Sequence, residues 1–170
     1  MYRFFFIFLC ILAVLFTAEQ FVFVQNAVVL PWTALVAKAS AVIARFFDPS
    51  IIAYGKVLQS THTDFSVSIE SGCNGVEAAI VLVAAMLAFP SGWKMKFWGI
   101  VLGFLAVQAV NLVRVVTLFF LGEWSLKLFE FAHLYMWQAL IMLDVLVVWL
   151  LWMRIVARQD AAPPAAAAPA

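Results

Sequence analysis

Apolar residues run in long blocks along this chain, and each block stops at a few polar or helix-breaking positions. A helix that crosses a bilayer needs about 20 apolar residues, because the hydrocarbon core is about 30 Å thick and each residue rises about 1.5 Å. Four blocks predict crossings: about 4–24, weakened by Glu19 and Gln20; 73–89, stopped by Pro90, Ser91 and Gly92; 97–121, stopped by Gly122; and 135–156. A fifth apolar block, about 27–47, carries Pro31, Lys38, Ser40 and Arg45. It reads as an amphipathic helix lying at the outer interface, with a fifth crossing as the alternative. Arg3 ahead of the first block resembles the start of a signal peptide, but no clear small-x-small cleavage site follows, so a retained anchor is expected.

One stretch has a different period. Over 54–70, Phe65, Val67 and Ile69 alternate with Ser66, Ser68 and Glu70, the period of a strand. With the polar turn at 60–64, this predicts a short β-hairpin over about 53–70, just ahead of Cys73. A lone hairpin is marginal in water, so it is expected to dock on the helix ends or on a bound peptide. The last residues, 160–170, are Ala and Pro with one acid and predict a disordered tail. The fold class expected is an all-α integral membrane protein with four or five transmembrane helices. Residues 1–159 form a single membrane-embedded domain.

Composition narrows the function. Hydrophobic residues make up 67% and charged residues 11%, against about 45–50% and about 25% in a soluble domain. A water-soluble globule and a disordered chain are both excluded. The net charge is +1 and the basic residues are scattered singly, so no nucleic-acid footprint exists. Cys10 and Cys73 make neither a disulfide framework nor a zinc site. No His-Glu-x-x-His cluster is present, and nothing implies a cofactor or a metal. Lys94 and Lys96 sit between the second and third crossings and Arg154 and Arg158 close the fourth, so these two positive ends share the cytoplasmic side.

The few polar residues inside the apolar blocks carry the chemistry, since charge within a bilayer is costly. Gln108, Asn111, Arg114 and Thr117 are three apart and form one ridge on the third crossing. Cys73, between Gly72 and Gly75, lies at the water boundary where a helix N-terminus favours a thiolate. Glu77 is four residues on and shares its face. His133 precedes the last crossing at outer headgroup depth, and Asp144 returns to nearly the same face deeper in. His62 falls in the hairpin turn and reads as solvated. Three segments thus put Cys73, Arg114 and His133 near one membrane face. Cys plus His is an activated nucleophile, and a nearby cation can hold an oxyanion or a carboxylate. The reaction class is acyl transfer.

These residues resemble those of the exosortase/archaeosortase family: Cys73-Asn74-Gly75 at the outer start of one helix, Asn111-x-x-Arg114 in the next, and His133 at the start of the last. The resemblance implies that Cys73, Arg114 and His133 are catalytic; Asn74 and Asn111 stand in the matched motifs, and Glu77 and Asp144 are read from their positions as further supporting residues. It implies a bacterial inner-membrane cysteine protease-transpeptidase whose site faces the periplasm. Its partner would be the C-terminal sorting signal of an exported protein: a short motif, a membrane helix and a basic end. The short length is most like exosortase H, whose partners carry an IPTL-type signal. Many members have Ser or Thr after the Cys and about eight crossings, whereas this chain has Asn74 and four or five.

Other functions compete: an intramembrane thiol protease without transfer, and a small membrane binding or assembly protein whose Arg114 recognises a carboxylate. Three expectations about geometry follow. Cys73, Arg114 and His133 share one outward pocket. Glu77 neutralises Arg114, with Asp144, at the level of Asn111, as the other candidate. The hairpin ahead of Cys73 offers a strand edge to an extended peptide.

Overall fold

The computed structural model describes residues 2–160. The Ala/Pro tail expected beyond the last helix lies outside the described residues from 161 onward. The chain is a helical membrane protein, and four of its helices are long and apolar enough to cross a bilayer. They are α1 (Tyr2–Glu19), α2 (Val22–Ala44), α4 (Trp93–Trp124) and α5 (Leu126–Gln159). Between α2 and α4 come β1 (Ile51–Tyr54), β2 (Val57–Ser60), β3 (Ser66–Ser68) and α3 (Val76–Ala88).

The set of long helices differs from the apolar blocks in two places. Helix α3 has only 13 residues, about 20 Å at the usual rise, because residues 71–75 are spent on turns and Pro90 stops the other end. Helix α2 is long enough to cross, although it carries a π turn at Gln25–Val29 just ahead of Pro31. In the wide turn the Leu30 N–H donates to the Gln25 carbonyl, and Pro31, next in the chain, has no N–H to continue the ladder. Thr33 Oγ donates to the Val29 carbonyl at 2.8 Å across the same stretch.

Helices α1, α3, α4 and α5 run alternately up and down, and their ends pair. At one end Phe4 packs edge-on to Phe89, and Trp152 Nε1 donates to the Met95 carbonyl (3.2 Å). At the other end, residues Phe16, Gly75, Arg114 and Gln138 line one cavity. Small residues let the helices approach, as in membrane bundles generally. A Cβ on Gly99 would sit 2.2 Å from the Trp152 indole, and Gly103 faces Leu82, Met86 and Val148.

Helix α4 has 32 residues, about 48 Å against a hydrocarbon core of about 30 Å, so it projects well past the bilayer. Its projecting end anchors the sheet and α2. Val36, Ala37, Ala41 and Ala44 of α2 share a core with Ile51, Leu58, Ile69 and Phe119. Lys38 stays exposed, and Arg45, just past the helix end, is exposed beside β1. Deeper in, Trp32 of α2 packs on Phe104 (5.1 Å). Helix α2 therefore climbs beside α4 toward the sheet, in the same direction.

The sheet is a three-stranded antiparallel meander, β1-β2-β3, not a two-stranded hairpin. The turn at 60–64 and the strand at Ser66–Ser68 fall where the alternation puts them. The extra strand is Ile51–Tyr54, whose apolar run Ile-Ile-Ala-Tyr has no alternation to reveal it. Phe65 anchors the third strand on Phe119, and Thr63 donates to Glu123 Oε1 (2.6 Å).

Candidate active site

Cys73 lies in a turn ahead of α3, not inside a helix. Its N–H donates to the Glu70 carbonyl at 3.0 Å, and the two flanking glycines carry positive φ, +83° at Gly72 and +76° at Gly75. Only glycine adopts these angles without strain. Gly75 also sits against Gln108, whose Nε2 donates to the Gly75 carbonyl at 3.1 Å. Asn74 pins the turn from the other side. It is 1% exposed; its Nδ2 donates to Thr33 Oγ (3.0 Å), its Oδ1 accepts the Val76 N–H (3.0 Å), and its carbonyl accepts Trp32 Nε1 (3.2 Å). Asn74 is thus a structural clamp between α2 and the start of α3.

The thiol meets groups from two other helices. Cys73 Sγ is 3.0 Å from His133 Nε2, sixty residues away in the chain. His133 lies in a π turn at Ala132–Met136 within α5, and the Phe129 ring stacks against it at 5.5 Å. Arg114, only 2% exposed, donates from one terminal nitrogen to the Gly72 carbonyl (3.0 Å) and from the other to Cys73 Sγ (3.5 Å). Among the described residues its Nε has no partner. Burial pushes the Cys73 thiol up from its ordinary value; Arg114 opposes the rise, and Glu77 and Glu70 add to it. The expected thiolate at a helix N-terminus is not what the site favours: Cys73 lies in the turn ahead of α3, and desolvation raises its thiol.

The supporting residues take other places. Glu77 does not pair with Arg114: its Oε1 accepts the Gly72 N–H at 2.5 Å, and the sole ion pair among the described residues is Lys56–Glu70. Asp144 is no substitute partner, since its Oδ2 is buried and unbonded. Asn111, fully buried, also has no hydrogen-bond partner on either side-chain atom among the described residues. Thr117 bonds back to the carbonyls of its own helix, and His62 is exposed in the β2–β3 turn. Sequence reasoning missed Trp32 and Thr33. Their contacts with Asn74 span more than forty residues and leave no local signal.

A thiol with an imidazole and a guanidinium both in reach of its sulfur can form and hold a thiolate for attack on a carbonyl. Among the described residues no cluster of His, Cys, Asp and Glu is arranged to hold a metal ion. The family model described as transmembrane exosortase matches residues 1–151 of the 170. The chain belongs to the transmembrane exosortase family. No curated protein and no solved structure matches it. As an exosortase it is a multi-pass membrane protein with a membrane transpeptidase-type role. Its substrate is a protein bearing a sorting signal, met among membrane lipids. The 320 Å³ cavity below the thiol is lined by Gly72, Glu77, Arg114 and Gln138, with Phe16 of α1 and Met142 of α5. Met142 and Val81 continue from it into an apolar cleft between α1 and α5 that ends near the stacked rings of Phe4 and Trp149.

Proposed function

We propose that this exosortase is a cysteine-type peptidase and transpeptidase that removes C-terminal sorting signals from exported proteins at the outer face of the bacterial inner membrane. The observation that carries the proposal is the 3.0 Å approach of Cys73 Sγ to His133 Nε2, with Arg114 against the same sulfur. In this mechanism His133 takes the thiol proton and Sγ attacks the scissile carbonyl. The charge on the carbonyl oxygen is met by a free N–H of Arg114. The tetrahedral adduct collapses to a thioester as His133 returns the proton to the leaving amine. An acceptor nucleophile, deprotonated by His133, then takes the acyl group and restores the thiol. Burial favours the neutral thiol, so taking its proton is the role this mechanism gives His133.

The site faces away from Arg3, Lys94, Lys96, Arg154 and Arg158, which gather at the opposite ends of the helices. By the positive-inside rule those ends are cytoplasmic and the Cys73 end is periplasmic. We read α2 as an outer helix rather than a fifth crossing, since α1 hands the chain to it near Phe16, at the Cys73 end of the bundle, and its far end packs on the sheet. The cleft between α1 and α5 suits a substrate whose own membrane helix arrives sideways through lipid.

The test is processing of a reporter that ends in an Ile-Pro-Thr-Leu segment, an apolar helix and a basic end, co-expressed with the full chain. Wild type should release the signal, and Cys73→Ala and His133→Ala should each lower release at least about a hundredfold, the range of general-base contributions. Release by Cys73→Ala at the wild-type level would refute thiol catalysis and favour a binding protein.

A further inference from the structure

The sheet has two edges, and only one of them is partly occupied. Along β1 the outward carbonyl of Ile51 accepts Arg45 Nε at 2.7 Å, and the Ile51 N–H donates to the Asp48 carbonyl (3.3 Å). Helix α2 packs against that side. The β3 edge is different. The register pairs Val57 with Ser68, Leu58 with Val67 and Gln59 with Ser66. The flanking bonds run from Ile69 N–H to the Lys56 carbonyl and from Ser60 N–H to the Phe65 carbonyl, both 2.9 Å. In an antiparallel ladder, bonded residues alternate with unbonded ones. Phe65, Val67 and Ile69 therefore turn their main-chain groups toward β2, and Ser66 and Ser68 turn theirs outward. Both serines are exposed, and no backbone bond to their outward groups is present among the described residues.

This edge leads to the thiol. The turn closed by the Cys73 N–H on the Glu70 carbonyl (3.0 Å) folds the chain back after β3. Such a turn keeps its end Cα atoms within about 7 Å, and a strand advances about 3.3 Å per residue. A peptide paired with Ser66 and Ser68 and extended by a few residues reaches Cys73. The start of β3 and the helical turn that carries Phe129 meet over Gly122, whose Cβ would touch both Phe65 and Phe129. His133 stacks on that same Phe129. The edge and the base thus flank one approach to the sulfur.

We propose that the β3 edge, through the main-chain N–H and C=O of Ser66 and Ser68, is the docking strand for the extended segment of the substrate that precedes its membrane helix. The inference rests on the transpeptidase reading above and adds how that substrate is aligned. Two donors and two acceptors are too few to hold a free peptide. They suffice to align one already tethered in the bilayer by its helix, which raises its local concentration. Recognition of this kind reads extended backbone, with side chains of alternate residues supplying specificity. The shortness of the strand also protects the edge from pairing with other chains.

The probe is a synthetic peptide with a six-residue extended segment, an apolar helix of about 20 residues and a basic end, in vesicles with the full-length chain. Capture of the intact probe by the Cys73→Ala chain is measured separately from cleavage by wild type. In the Cys73→Ala background, Ser66→Pro and Ser68→Pro each remove an outward N–H while leaving the ladder donors of Phe65, Val67 and Ile69 in place, and should each weaken capture about tenfold. Ser66→Ala and Ser68→Ala, which keep the main-chain groups, should weaken capture far less than the Pro variants at the same positions. N-methylation of the probe, one peptide bond at a time, should weaken capture with a period of two. Undiminished capture by both Pro variants, no period of two, or no capture at all overturns the proposal. Failure of the catalytic reading would show instead as cleavage persisting in Cys73→Ala, and the capture results would still decide the edge.

Discussion

A buried thiol is a poor nucleophile until something takes its proton, and at Cys73 the surrounding charges act in opposite directions. Arg114 favours the thiolate, whereas Glu77 and burial favour the thiol. This gives a paired expectation. In Arg114→Gln the cation is gone, the thiol pKa rises further, and alkylation by iodoacetamide should need higher pH. In Glu77→Gln an opposing charge is gone, the pKa falls, and the rising limb should move to lower pH. The amide oxygen of the new Gln still accepts the Gly72 N–H, so the turn should persist. Alkylation rate against pH in detergent measures both shifts; shifts of the same sign would contradict the electrostatic account. The three polar residues were legible in the sequence because Cys, Arg and His stand out at matching depths in an apolar chain. The partner of Arg114 was not. Depth along a helix does not say which way a rotamer turns, and Glu77 turns back to Gly72 while Arg114 takes the Gly72 carbonyl.

At the scale of elements, the turn from β3 into α3 decides where the thiol sits. Gly75 combines a φ of +76° with a Cβ position 2.6 Å from Gln108 Nε2, whereas Gly72, at +83°, has open space around it. Gly72→Ala should cost only backbone strain, about 1–2 kcal/mol. Gly75→Ala adds displacement of a buried amide and should cost about 1–3 kcal/mol more. Thermal unfolding in detergent should rank the variants wild type, Gly72→Ala, Gly75→Ala. Equal melting temperatures for the two variants would show that Gln108 does not brace the turn. Several elements were readable from pattern alone. The apolar blocks gave α1, α4 and α5, and the Phe65-Val67-Ile69 alternation gave β3. Strand β1 was hidden because Ile51 and Ile52 are both apolar, so neither period shows. The short α3 was hidden because Ser71 to Gly75 look like the start of a helix until their backbone angles are known.

For the whole molecule, four helices with paired ends hold one polar constellation at one end and Arg3, Lys94, Lys96, Arg154 and Arg158 at the other. The projecting end of α4 carries a sheet that shelters the thiol and offers it an open edge. The proposed function depends on Cys73 taking an acyl group. The most direct test incubates the reconstituted full chain with a sorting-signal probe, quenches in acid, and measures intact mass followed by peptide mapping. The account predicts an adduct equal to the acyl part of the probe, confined to Cys73 and not Cys10. It should be released by hydroxylamine as a thioester and be absent from His133→Ala. Release of the signal by wild type with no adduct on Cys73 under any quench, and at an unchanged rate in Cys73→Ala, would contradict it.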